Sequence, residues 1–418
     1  MPRKQTKKEK RKKLAKKYNK HLKRYISLPK AVLYGTGVII GAGIYVLIGA
    51  AAGIAGNALW LSFILASVIA ALTGLSYAEL ISMFPKSSAE YHYTKKAFKK
   101  NWLSFCLGWL ILFTAIVSMS TVALGFGHYA SNLLGMSPVL AALFLLFVLS
   151  YINFHGIKDA MRANILLTGV TIIGLLIVII FSVPYFGSVN YLQTPTGPLD
   201  VTGAMGVVGA AALIFFAFLG FEEIAVIAED SMNPTKNLPK AILLAVIITC
   251  FLYALVSVAS VSVVPWQQLG QSLSPISEIG ARILPNGAFI LSIFALFATA
   301  STVLILLIAY SRFLYGMAKE HCFPDIFCRL HKKTGTPHYA IAAIFVIVAI
   351  AVSTGEIIKI AKITNFGAFT TFMMVNMSLI VLRYRKPNIK RPFKSPLNIG
   401  KFPVLAFIGV LSCLFMIS

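Results

Sequence analysis

Residues 29–55 read PKAVLYGTGVIIGAGIYVLIGAAAGIA, and the middle of the stretch carries Gly35-Thr36-Gly37 and Gly41-Ala42-Gly43. The run is apolar enough and long enough to cross a bilayer, for which a helix needs about 20 residues. A glycine costs a helix about 1 kcal/mol relative to alanine, so a cluster of them marks a place to unwind. A second apolar run, 203–228, is interrupted in the same way at Phe216-Ala217-Phe218-Leu219-Gly220. Gly35, Gly37 and Gly49 read as positions where helices pack closely. Gly41 to Gly43 read as a ligand-facing break, because the cluster is tight and the second run mirrors it.

Working outward, apolar runs long enough to span occur at 29–55, 57–83, 102–130, 137–154, 160–184, 203–228, 239–264, 287–314, 338–354, 360–383 and 401–418. The two interrupted runs are the first and the sixth. Broken first helices in two five-helix halves are the sequence mark of an inverted-repeat membrane transporter with its site near the bilayer midplane. The expected architecture is therefore an all-α integral membrane protein of about eleven transmembrane helices, a five-plus-five inverted repeat with helices 1 and 6 broken. Its parts are a basic arm (1–28), a ten-helix core (29–383, halves 29–184 and 203–383), a basic loop (384–400) and an eleventh span (401–418).

Composition agrees. Of the 418 residues, 58% are hydrophobic and 12% charged, whereas a soluble domain carries about 25% charged residues. The net charge of +25 invites a nucleic-acid reading, but its distribution excludes one. Fourteen Lys and Arg fall within the first 30 residues, against one acid, Glu9. The remaining basic residues cluster in the segments 84–101, 155–159, 229–238, 315–337 and 384–400, while the alternate loops carry little beyond Arg282 and Lys359. Basic loops stay cytoplasmic, so the expected topology is a multi-pass protein of the cell membrane with a cytoplasmic N-terminus. The arm also suits anionic lipid headgroups. The first apolar run is too long for a cleavable leader. Cys322, Cys328, His321 and His331 share one loop, but their spacing fits no standard zinc finger, and no metal is expected.

A broken helix offers unpaired N–H groups where one half starts and unpaired carbonyls where the other ends. The N–H groups suit a carboxylate and the carbonyls an ammonium, so an amino acid can be held without charged side chains. Glu222 and Glu223 are the paired carboxylates inside a span; intramembrane acids are functional candidates. They point about 100° apart on a helix and need not share a role.

Five stretches, in order, carry a family resemblance: VIIGAGIYVLIG (38–49), LSYAELISMFPKSSAEYHYTKKAF (75–98), FFAFLGFEEIAVIAEDSMNPTKNLPKAI (215–242), SRFLYGMAKEHCFP (311–324) and VLRYRKPNIKRPFKSP (381–396). Together they resemble the amino acid–polyamine–organocation transporters, most closely prokaryotic relatives of cationic amino acid transporters. The resemblance implies alternating access and amino acid substrates, with a polyamine or other organic amine as the alternative. It implies a substrate carboxylate on the amides of Ala42, Gly43 and Ile44 beside Gly41, and an ammonium on the carbonyls of Ile39, Phe216 and Leu219. The Phe216 ring would cover the substrate; Phe221 and Tyr45 would help line the pocket. Glu222 matches a position linked to gating or proton sensing, whereas Glu223 departs from the family's small or polar residue.

Two further departures bear on coupling and size. Several proton-coupled relatives carry a lysine on helix five, and the register set by Arg162 puts Thr171 there. Ser301 and Thr302 match hydroxyls that ligate sodium in transporters of the same fold, with carbonyls of Gly37, Ile40 and Ala298 available to complete an oxygen shell. The expected coupling ion is Na+ or H+, with exchange that uses no ion as the alternative. The family usually has twelve helices, one more than the runs counted here. A channel would need charged rings or a continuous polar path, and an enzyme a constellation such as HExxH; the spans show neither.

Overall fold

Each apolar run carries a helix in the computed structural model, which describes residues 25–272, 274–320, 322–331, 333–354 and 358–417. Most of the basic arm, His321 and Lys332 lie outside the described residues. Among the described residues, eight stretches are long and apolar enough to cross a membrane, the first of them, Leu28–Met83, covering the first two runs; His338–Ser353 and Val404–Ile417 are shorter apolar helices.

The first run is two helices, α1 (Leu28–Ile39) and α2 (Ala42–Ala55). The Ile40 amide still reaches back to the Thr36 carbonyl at 2.7 Å, and Gly41 turns onto the Ile39 carbonyl at 2.8 Å. Gly41 then adopts ψ −148°, far from helical, and α2 starts afresh. The break is narrower than the glycine cluster suggested, since Ala42 and Gly43 already belong to α2. The next spans are α3 (Leu59–Met83), α5 (Asn101–Leu134), α6 (Pro138–His155) and α7 (Ile157–Ser182). Between α3 and α5 the basic segment folds into a helix of its own, α4 (Ala89–Phe98).

The sixth run opens as α8 (Val201–Ile214), tightens into a 3-10 turn at Phe215–Phe218, and resumes as the short α9 (Glu223–Val226). Leu219 is extended, with ψ 138°, and Gly220 takes φ +122°, a conformation that L side chains rarely adopt. A Cβ on Gly220 would lie 2.1 Å from Val38 Cγ1, and one on Gly43 would lie 2.5 Å from Ala217 Cα. Glycine is therefore required at both places for the two broken runs to touch.

Around them stand α10 (Pro234–Val263), α13 (Gly287–Lys319), α14 (His338–Ser353), α15 (Ile358–Arg385) and α16 (Val404–Ile417), with two short helices, α11 (Trp266–Gln271) and α12 (Pro275–Ile283), ahead of α13. Helix α10 packs on α1 and α3, and α13 on α5 and α7. Side chains such as Phe144, Phe147, Ile247 and Phe251 point outward, as helices bathed in lipid require.

The end of the bundle that bears the basic segments is tied by ion pairs, some buried and some half-buried. Arg312 on α13 pairs with Asp230, Lys319 with Glu229 at 3.2 Å, and Lys95 with Glu320 at 2.8 Å. Glu79 on α3, fully buried, takes Arg383 at 2.5 Å, Arg391 at 3.2 Å and the Ser395 amide at 2.8 Å. That carboxylate pins the 384–400 loop to the bundle. At the other end, a two-residue hairpin (β1 Gln193–Thr194, β2 Gly197–Pro198) lies against the Gly56 turn, where Trp60 donates to the Tyr191 carbonyl at 3.0 Å.

Candidate functional site

The two breaks face a common cavity of about 70 Å³, lined by Ile39, Gly41, Ala42 and Gly43 from the first run and by Phe216, Leu219, Gly220, Glu222 and Glu223 from the sixth. At about 10–15 Å³ for each water this is room for a handful of water molecules. Of the residues read from the sequence as substrate-binding, Ile39, Gly41, Ala42, Gly43, Phe216 and Leu219 line the cavity, whereas Ile44 and Phe221 do not. Phe221 is instead packed in an aromatic group, its ring centroid 5.8 Å from Tyr77 and 5.2 Å from Phe372. Tyr45 turns away and donates to the Thr171 carbonyl at 3.0 Å.

The backbone groups at the breaks are not equally available. As the first residues of α2, Ala42, Gly43 and Ile44 have no acceptor one turn back inside the helix. The Ala42 amide donates to Thr302 Oγ1 at 3.2 Å. Among the described residues, no side chain competes for the cavity-lining Gly43 amide. On the carbonyl side, Ile39 already accepts from the Gly41 amide at 2.8 Å and from the Tyr253 hydroxyl at 2.5 Å. Phe216 accepts from the Leu219 amide at 3.2 Å. The Tyr253 hydroxyl also lies 3.1 Å from the Ala217 carbonyl, so one phenol on α10 ties the two broken runs together. Sequence reasoning missed Tyr253; its signal was a tyrosine in an apolar span, whose hydroxyl must find a partner when buried.

Glu222 folds back on its own break, Oε2 accepting the Gly220 amide at 2.8 Å. Glu223 and Tyr310 both line the cavity. A third carboxylate lines the cavity, Glu90 of α4, which Tyr77 reaches at 3.1 Å. Burial pushes its carboxyl up to about 7, against hydrogen bonds that pull the other way. The sequence held a clue to it, as the single acid in the basic segment 84–101.

The residues read as a cation site fall into two sets. Thr302 donates to the Ala298 carbonyl at 3.1 Å and sits against Gly41, where a Cβ would be 1.9 Å from its hydroxyl. Ser301, the next residue along α13, faces α7, within 3.2 Å of both Thr168 and Asn164. Gly37 packs against Thr168. Thr171 caps the Leu167 carbonyl at 2.9 Å, so the α7 hydroxyl that meets Ser301 is that of Thr168. Ile40 is buried at the α1 end and lines no part of the cavity.

Apolar membrane-length helices, with breaks in the first and sixth runs that touch beside a small cavity, mark a multi-pass membrane protein. The chain belongs to the amino acid permease family, whose model matches residues 26–418. It is similar to the branched-chain amino acid permease BcaP of Bacillus subtilis (strain 168), 30% identical over 95% of this chain and 88% of the relative. It is 29% identical to the methylthioribose transporter of the same organism, over 96% of this chain and 89% of the relative. The cationic amino acid transporter 2, vacuolar, of Arabidopsis thaliana is also 29% identical, over 90% of this chain, which spans 62% of that longer protein.

Proposed function

We propose that the chain is a secondary active transporter of amino acids that works by alternating access, its substrate held in the cavity between the breaks of the first and sixth spans. The observation that supports this most is the contact between the breaks. The start of α2, with Gly43 in the cavity wall, and the extended Leu219–Gly220 segment line one cavity. A substrate carboxylate would rest on the Gly43 amide, and on that of Ala42 when Thr302 turns aside; the positive end of α2 favours it further. The ammonium would meet the Phe216 and Leu219 carbonyls, with the Phe216 ring as its cover. The five-plus-five inverted repeat, a cytoplasmic N-terminus in the cell membrane, and coupling to Na+ near Ser301 and Thr302 or to H+ at Glu222 belong to the same proposal.

The test is binding of free amino acids and their amides to the purified protein. A charge-assisted hydrogen bond contributes about 1.5–3 kcal/mol, so an amide should bind at least about tenfold more weakly than its acid. Equal affinities would remove the carboxylate from the Gly43 amide. Uptake into proteoliposomes that saturates and shows counterflow separates a carrier from a channel.

A further inference from the structure

The segments 91–110 and 381–402 contain eleven Lys and Arg and no acid. Three of the eleven are committed to carboxylates, Lys95 to Glu320, and Arg383 and Arg391 to Glu79. Lys96, Lys99, Lys100, Arg385, Lys390 and Lys394 are exposed, and none of them forms an ion pair among the described residues. The fold gathers them. Arg385, the last residue of α15, donates to the Ala97 carbonyl in the last turn of α4 at 2.9 Å, across a sequence separation of 288, and α4 packs on both α5 and α15. Lys99 takes φ +58°, a left-handed turn that ends α4, and α5 starts at Asn101. Lys99 and Lys100 thus stand at the corner where the chain enters a span. From that corner Trp102, Phe105, Trp109 and Phe113 follow at steps of three and four along one face of α5, and they are 62%, 39%, 48% and 52% exposed.

We propose that this corner, where the end of α4 meets the end of α15, is a headgroup site for an anionic phospholipid of the surrounding bilayer. The ligand must be negative, because like charges brought together without acids repel one another until a counter-anion joins them. It must also be amphipathic, because the basic cap sits at the head of an apolar stripe. A phosphodiester accepts charge-assisted hydrogen bonds from several ammonium groups at once, and its acyl chains would lie along the aromatic face of α5, with Trp102 at the level of the headgroups. Basic loops also set the orientation of a membrane protein, but that role needs only their place in the sequence. It does not need two distant segments folded against each other by the Arg385 tie. A basic residue close to an anionic surface contributes about a fivefold gain in affinity, so two or three of these lysines select an anionic lipid over a zwitterionic one. A lipid seated here would brace α4 against α15.

The experiment places the purified full chain in nanodiscs of equal parts phosphatidylglycerol and phosphatidylcholine and counts the lipids it retains by native mass spectrometry. Wild type should retain phosphatidylglycerol over phosphatidylcholine at least about tenfold. Lys99→Gln/Lys100→Gln/Lys390→Gln should pull that ratio toward one. Lys236→Gln/Lys240→Gln/Lys333→Gln removes the same charge from other exposed positions and should leave the ratio unchanged. If the first triple variant does not fold, Lys100→Gln alone should lower the ratio about fivefold. Equal retention of the two lipids by wild type would overturn the proposal. So would a Lys99/Lys100/Lys390 variant that keeps the full preference, which would move the lipid to another surface such as the basic arm. An equal loss in both triple variants would overturn it too, since net charge and not this corner would then select the lipid. Displacement of the lipid by millimolar inorganic phosphate would make the ligand a soluble anion and overturn the membrane reading.

Discussion

Replacing Tyr253 by phenylalanine removes one oxygen and leaves the packing intact, because the ring that meets Phe63 at 5.4 Å and Phe218 at 5.2 Å is retained. The loss is confined to the tie between the broken runs. The Ile39 carbonyl keeps its bond from the Gly41 amide, but the Ala217 carbonyl loses the Tyr253 hydroxyl. A buried hydrogen bond contributes about 0.5–1.5 kcal/mol, and a buried acceptor left bare costs about 1–3 kcal/mol. The expected penalty is therefore about 1–3 kcal/mol, and at about 1.4 kcal/mol per factor of ten it lowers substrate affinity about 5- to 150-fold where the tie is needed to hold the site. The assay is thermal unfolding of the purified variant in detergent with and without amino acid, together with proteoliposome uptake. Tyr129→Phe is the control, since the Tyr129 hydroxyl makes only a long 3.4 Å bond to the Tyr45 carbonyl. Tyr253→Phe should fold, unfold at a lower temperature than wild type, and bind more weakly. Unfolding and binding no different from the Tyr129→Phe control would refute the idea that this hydroxyl joins the breaks.

A side chain at position 43 meets backbone rather than open cavity: the 2.5 Å approach of a Cβ to Ala217 Cα makes Gly43→Ala destabilising by about 1–3 kcal/mol, and Gly43→Leu should fail to accumulate. Normal amounts of folded Gly43→Leu, checked by size-exclusion chromatography, would contradict the close approach of the two runs. Glu79→Gln leaves buried Arg383 and half-buried Arg391 without their countercharge, at a cost of about 3–5 kcal/mol; trypsin should then cut the 384–400 loop faster, and an unchanged cleavage rate would show that the cluster does not hold it. For coupling, uptake measured with sodium replaced by choline separates the two ions: sodium coupling predicts loss of uptake in choline and a weaker sodium dependence in Ser301→Ala, whereas proton coupling predicts uptake that rises as external pH falls.

Several features were legible in the sequence because they are local. Apolar runs of membrane length, basic segments between alternate runs, and two interruptions at corresponding runs each depend on residues near one another in the chain, and solvent and backbone preference act on them directly. The positive φ of Gly220 follows from glycine's freedom, and the break at Ile40–Gly41 falls where glycines weaken the helix. What faces those breaks was decided by packing between residues far apart. Thr302 reaches Ala42 across a sequence separation of 260, and Tyr253 reaches Ile39 across 214; no periodicity within either helix announces the pairing. Glu90 lies between two apolar runs and reaches the cavity because α4 packs against α5 and α15, and Thr168 stands opposite Ser301 because helix rotation is set by neighbours. Small residues allow helices to approach, but the angle and register at which they meet come from the whole interface. The sequence alone determined that this chain enters a membrane and where two of its spans break, whereas the identity of the side chains around the cavity was decided only by tertiary structure.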